Sequence, residues 1–152
     1  MVTVTDASPS DPAVEALIEA HRAAARLHYA PSDCHAEAAD DLASAAARMF
    51  AAHHEGRVVA IGGFKQIDDA VAEVKSVFVS PNARGLGAGK ALMVHLMQEA
   101  RADGFTQLML EAGTDDYAAP ARALYASLGF TVRPPFGAYS AAQASTFMEC
   151  AL

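Results

Sequence analysis

The sequence predicts an α/β chain in which helices cover the faces of a mixed β-sheet. Three observations carry that prediction. Residues 49–79 read as three consecutive strands separated by short turns. Beyond residue 81 the pattern alternates helix, strand, helix, strand. The chain has 152 residues, 53% of them hydrophobic, which suits one domain with its own core, and residues 1–152 are taken as that domain.

The elements follow in order. Val2–Asp6 alternates and reads as a first strand. Asp11 is a good N-cap with Pro12 at the first helical position, and Val14, Leu17 and Ile18 recur at helical spacing, so a helix runs to about Leu27. Ala30, Pro31, Ser32 and Asp33 end it and cap a second helix through roughly Leu42. Met49–His54 and Arg57–Lys65 flank Glu55 and Gly56 as a hairpin. Gly62 and Gly63 inside the second strand predict a bulge or a close backbone approach. Val71–Val79 is rich in strand-forming residues. Pro81–Gly89 is a glycine-rich loop. Leu92, Met93, Leu96, Met97 and Ala100 form a helical stripe that ends at Gly104. Gln107–Glu111 is a strand, and Pro120–Leu128 is a helix closed by Gly129. Thr131–Arg133 and Thr146–Cys150 are short strands around a loop that holds Pro134, Pro135 and Gly137.

Composition removes several classes. The chain has 36 Ala and no Trp, so its core must come from a moderate set of Val, Leu, Ile, Met and Phe. Modest charge and high apolar content argue against disorder. Two Cys cannot build a disulfide framework and suit a reducing compartment. No apolar run reaches 18 residues and the N-terminus shows no secretion signal, so a cytoplasmic protein with no membrane contact is expected. A formal net charge of -7 argues against nucleic acid as a partner.

The chemistry-bearing stretch runs from Val77 to Leu92. A strand (Val77, Phe78, Val79) enters a turn (Arg84, Gly85, Leu86, Gly87, Ala88, Gly89, Lys90), and the turn opens a helix. Backbone N–H groups and the positive helix end then converge on one point, which suits a phosphate or pyrophosphate. Glycines permit close approach, and Arg84 and Lys90 add charge-assisted contacts. The P-loop pattern fails, because Arg84 stands at its first Gly and Ala91 follows Lys90. The dinucleotide fingerprint fails at Leu92.

Arg84, Gly87 and Gly89 match the Q/R-x-x-G-x-G/A signature of the GNAT superfamily of acyl-CoA N-acyltransferases. Downstream, Ala121, Leu124, Tyr125, Gly129 and Phe130 resemble that family's A-x-x-L-Y-x-x-x-G-F segment. The likeness extends over nearly the whole chain and is most specific from Glu73 to Phe130. It implies a central mixed, mostly antiparallel, splayed sheet of about six to seven strands, flanked by about four helices. Acetyl-CoA, as co-substrate, would lie between the strand ending at Val79 and the strand Gln107–Glu111. The backbone of Val77, Phe78 and Val79 would bond its pantetheine arm, and the loop Arg84–Lys90 would hold its pyrophosphate.

The resemblance also implies direct transfer to a primary amine, without a metal or a protein nucleophile. Tyr125 is the candidate acid for the departing thiolate, since a phenol is protonated at neutral pH. Glu73 is the candidate base. Lys75 points the same way and would weaken it; the plainer reading of the two is a strand-surface ion pair. The oxyanion would meet a backbone N–H near Phe78 or Val79. Family members often carry an Asn seven residues before the Tyr, where this chain has Ala118. The acceptor pocket is expected between Leu27–His35 and Pro134–Ala142, with His28, Tyr29, Ser32, His35, Phe136 and Tyr139 as candidates.

Other features point elsewhere or nowhere. No His cluster has metal-ligand spacing, so no metal is expected. Cys34 and Cys150 read as buried small hydrophobes. Asp115 and Asp116 read as a solvated turn. The leading function is an acetyl-CoA-dependent N-acetyltransferase of a small amine. A non-catalytic acyl-CoA sensor and a protein or peptide N-acetyltransferase stay open. A homodimer is an expectation of the family alone.

Overall fold

The computed structural model describes all residues from Met1 to Leu152. Seven strands form one sheet: β1 (Val2–Ala7), β2 (Arg48–His54), β3 (Arg57–Gln66), β4 (Val71–Val79), β5 (Gln107–Gly113), β6 (Thr131–Arg133) and β7 (Ser145–Ala151). Their order across the sheet is β1-β2-β3-β4-β5-β7-β6, and every pairing is antiparallel except β4 with β5. Four α-helices cover it: α1 (Pro12–His28), α2 (Ala39–Ser44), α3 (Ala88–Ala102) and α4 (Ala119–Ser127). The expected sheet and helix count are therefore present.

Helix α1 begins as the sequence requires. The Asp11 side chain accepts from the Ala13 N–H at 3.1 Å, and Pro12 occupies the first turn. Its Val14 and Ile18 pack on Met49, Ile61 and Phe78 on one face of the sheet, with Leu42 of α2 beside them. The other face carries the larger cluster, where Leu92, Met93, Leu96 and Ala100 of α3 meet Phe50, Phe64, Leu108 and Leu110. Gly104 ends α3 at φ +95°, and the Phe105 N–H donates to Ala100 O, closing the helix in a left-handed turn.

The expected second helix is not continuous, which is a correction. Pro31–Asp33 make a single 3-10 turn, Cys34–Ala38 run without helical structure, and α2 is only six residues long. Local capping signals lose here to contacts with α1 and the sheet. Cys34 Sγ donates to Ala25 O at 3.3 Å, His35 reaches Glu111 on β5, and Glu37 reaches Lys75 on β4. A continuous helix through these residues would forfeit those contacts.

Two departures from regular pairing shape β4. The register passes from Ile61 opposite Phe78 to Gly63 opposite Lys75, so Ser76 and Val77 together face Gly62. This is a bulge on β4 with Ser76 at φ +57°. A Cβ on Gly62 would come within 3.0 Å of Leu92 and 3.1 Å of Val77, so the glycine lets α3 seat against the bulge. The second departure is the short parallel pairing of β4 with β5. It covers Val71 to Glu73 against Gln107 to Met109 and stops there. Beyond it the strands part.

A Cβ on Gly63 would collide with the backbone carbonyl of Arg48, which cannot swing clear, and with the buried side chain of Met49. Gly63→Ala is therefore expected to destabilise the fold by about 1–3 kcal/mol, the usual cost of forced overpacking. Denaturant titration of the two proteins measures it; equal midpoints would contradict the packing described.

Candidate functional site

The parted strands enclose a cleft of about 540 Å³, in the range of small-molecule sites. Its walls come from β4 (Glu73–Val79), the loop into α3, the end of β5, the start of α4, and the connection after α1. Chain geometry divides it into two ends and a middle.

At one end lies the glycine-rich turn. Gly85 (φ +85°) and Gly87 (φ +76°) adopt left-handed backbone, which a side chain would strain. Gly87 is the N-cap of α3 and no side chain caps that helix. Its first N–H groups are thus left for an anion. Arg84, Gly85, Gly87, Ala88, Gly89 and Lys90 all line the cleft, whereas Leu86 turns to solvent and does not. A Cβ on Gly89 would press Val79 at 3.3 Å and Leu124 at 3.4 Å. The donor set suits a pyrophosphate: free backbone N–H groups, a helix N-terminus, a guanidinium and an ammonium.

The middle is built by the open edge of β4. The Ser80 N–H donates to Val59 O on β3, so its neighbour Val79 turns its own N–H away from β3, toward the gap. Val77, Phe78 and Val79 all line the cleft here. Opposite stands Tyr125 of α4, buried against Phe130 with ring centroids 5.8 Å apart. Burial above all, and the charge of Glu111, push its hydroxyl well above the ordinary phenol range, so it keeps its proton. Ala118 also lines the wall, where no side-chain amide is available.

The far end is polar. Glu73 and Lys75 are not a surface pair: both are buried, which corrects the plainer expectation. Lys75 Nζ lies 2.7 Å from Glu37 Oε1 and 3.5 Å from Glu73 Oε2. Lys65 flanks both carboxylates, 3.6 Å from Glu37 and 3.9 Å from Glu73. The Tyr139 hydroxyl donates to Glu73 Oε2 at 2.6 Å. His35 stands edge-on to Tyr139, centroids 5.3 Å apart. The Tyr29 hydroxyl donates to Asp115 at 3.0 Å, and Gly113 makes room for it, since a Cβ there would collide with the ring. Asp115 also accepts from the Ala118 N–H, so it anchors the start of α4 and is no free solvated turn.

Of the acceptor candidates, the fold brings Tyr29, His35 and Tyr139 to the cleft wall. His28 is exposed and stacks on Tyr117 at 3.8 Å, Ser32 is exposed, and Phe136 is buried behind Tyr139. Sequence reasoning passes over Asp33, Glu37, Glu111 and Tyr117, and takes His21 only as one of the histidines without metal-ligand spacing. His21 packs on Phe78 at 5.4 Å and its Nδ1 is buried without a partner. The signal that could have found it is its place on the inward stripe of α1, between Val14, Ile18 and Ala25. No group of three or more His, Cys, Asp or Glu could hold a metal ion, and no helix is long and apolar enough to cross a membrane.

Comparison with known proteins agrees with this geometry. The model of the acetyltransferase (GNAT) family matches residues 14–130. An IAA acetyltransferase of Azospirillum brasilense is 39% identical over 97% of this chain and 96% of its own length. A crystal structure of a candidate acyl-CoA N-acyltransferase from Klebsiella pneumoniae superposes with a TM-score of 0.82 at 28% identity, covering 100% of this chain and 98% of that one. A candidate acetyltransferase from Salmonella typhimurium, solved with its cofactor acetyl-CoA, shares the fold at TM-score 0.72 and 24% identity, covering 99% of this chain and 93% of that one.

His21 gives a pH prediction. Burial, and secondarily the charge of Lys75, lower its pKa from 6.5 to about 4. The folded state therefore resists protonation while the unfolded chain accepts it. Stability is complete above pH 6.5 and falls as pH drops toward 4, by up to about 3 kcal/mol from this group. Unfolding free energies at pH 7 and pH 5 should differ less in His21→Gln than in the parent; parallel pH profiles would refute the assignment.

Proposed function

Because this chain belongs to the acetyltransferase (GNAT) family, we propose that it acetylates the primary amine of a small molecule, by direct attack on acetyl-CoA bound in the parted sheet. It is an N-acetyltransferase with acetyl-CoA as co-substrate; the small-molecule acceptor and the residue roles are the proposal. The observation that carries it is the order of groups along one cleft. Anion donors stand at one end, a protonated phenol in the middle, and a polar compartment at the other end.

Acetyl-CoA supplies the activated acyl group. The uncapped start of α3, with Arg84 and Lys90, would hold its pyrophosphate, and the open edge of β4 at Val77–Val79 would hold its arm. The Val79 N–H, turned into the gap, supports a role in receiving negative charge on the acyl oxygen. Tyr125 holds a proton at its hydroxyl for the departing sulfur. Glu73 takes the proton of the incoming ammonium through water, oriented by Tyr139. The hydrogen bonds of Tyr29 to Asp115 and of Tyr139 to Glu73 tie α1 to the segment after β5 and the Tyr139 loop to β4, which supports a small acceptor.

Two measurements test this. Acetyl-CoA at a hundredfold excess over its Kd should add about 2.7 kcal/mol of stability and raise Tm by roughly 5–10 °C. An unmoved Tm would count against the site. Thiol release with an amine panel should fall about a hundredfold in kcat for Tyr125→Phe, and also fall in Glu73→Gln. Turnover unchanged in both variants would remove these roles while leaving the fold intact.

A further inference from the structure

Resting on the acetyl-transfer reading above, we infer that the acceptor is a primary amine bearing a second positive charge, and that Glu111 is the residue that receives that charge. Glu73 pairs with Met109, so continued pairing would set Lys75 beside Glu111, two residues further on each strand. The strands part before that point. Lys75 turns to Glu37 instead, and Glu111 keeps no Lys or Arg partner within 4.0 Å.

Glu111 is nonetheless drawn inside. Its side chain is 16% exposed and lines the cleft. Oε1 accepts from the Ser145 hydroxyl at 2.9 Å. His35 Nδ1 lies 3.2 Å from the same oxygen but off the line that a hydrogen bond needs, and counts as buried without a partner. The charge is felt across the compartment: with burial as the main cause, it helps push the hydroxyls of Tyr29, Tyr125 and Tyr139 upward. A half-enclosed carboxylate without a cation is costly unless a ligand supplies one.

The neighbouring groups point the same way. Asp33 lines the same end and has no ion-pair partner. The nearby cations Lys65 and Lys75 are each shared with Glu37 and Glu73, so neither is free for an acceptor carboxylate or phosphate. The aromatic faces of Tyr29 and Tyr139 suit a cation as well. Moreover, the three buried side-chain polar atoms without a partner, His21 Nδ1, His35 Nδ1 and Ser76 Oγ, belong to residues that all line this one cleft. Orphaned polar atoms gathered in one place call for polar ligand atoms.

The test compares three acceptors of equal chain length: a straight-chain diamine, the corresponding monoamine, and the corresponding ω-amino acid. The diamine should lead the monoamine in kcat/KM by about tenfold, the worth of one charge-assisted contact. The amino acid should be poorest. Glu111→Gln should erase the lead of the diamine, mainly through KM, while the Tm gain from acetyl-CoA persists. A preference for the amino acid, or an unchanged diamine lead in Glu111→Gln, overturns the inference while acetyl transfer stands. Failure of acetyl-CoA to bind the parent protein overturns the function reading, and this inference with it.

Discussion

The structure depends on the place where β4 and β5 stop pairing. Three residue pairs hold them, from Val71 with Gln107 to Glu73 with Met109, and then the ladder ends. An unpaired strand edge inside a sheet leaves backbone groups that need partners. Here the cost is localised, because β3 continues to hold β4 through Val79 and β7 continues to hold β5 through Gly113. The gap is thus a property of one interface between two firm half-sheets. The bulge at Ser76 and Val77 turns β4 just where it opens, and Gly62 allows α3 to pack behind that turn.

The gap also sets the electrostatics. On its β4 side, Glu37, Lys75, Glu73 and Lys65 form a chain of contacts from 2.7 to 3.9 Å, with Tyr139 donating to Glu73. Buried ion pairs contribute little net stability, since desolvation offsets most of their attraction. Their value here is positional. They tie the segment after α1 to the sheet and bring the loop carrying Tyr139 over the cleft. On the β5 side Glu111 has no such partner. The asymmetry between the two strands gives the far end its negative character and leaves the positive charge of Arg84 and Lys90 at the other.

Much of the fold was legible in the sequence because its signals are local. Strand β4 is rich in β-branched residues, α1 has its Asp11 cap, and α3 has a one-sided stripe, so short-range patterns sufficed. The glycine-rich turn was legible too, since left-handed backbone at Gly85 and Gly87 leaves a compositional trace. Where reading failed, distant contacts had decided the outcome. Cys34–Ala38 gave up helix for contacts with Ala25, Glu111 and Lys75. Asp115 became an anchor because Tyr29, 86 residues away in sequence, donates to it. His21 shows no metal-ligand spacing in sequence, and its helical face says nothing of the cleft beside it.

The sequence by itself determined the strand and helix order, the anion-binding turn between β4 and α3, and Tyr125 on the last helix. These rest on periodicity, backbone conformation and short motifs, all encoded within a few neighbouring residues. Only the tertiary structure decided which charges are compensated. Glu73 and Lys75 look like a surface pair in sequence and prove buried, and Glu111 looks unexceptional and proves half-enclosed without a Lys or Arg partner. The physical reason is that an ion's cost depends on its distance from water and from opposite charge. Those distances are fixed by the parting of two strands whose facing residues lie 36 apart in the chain.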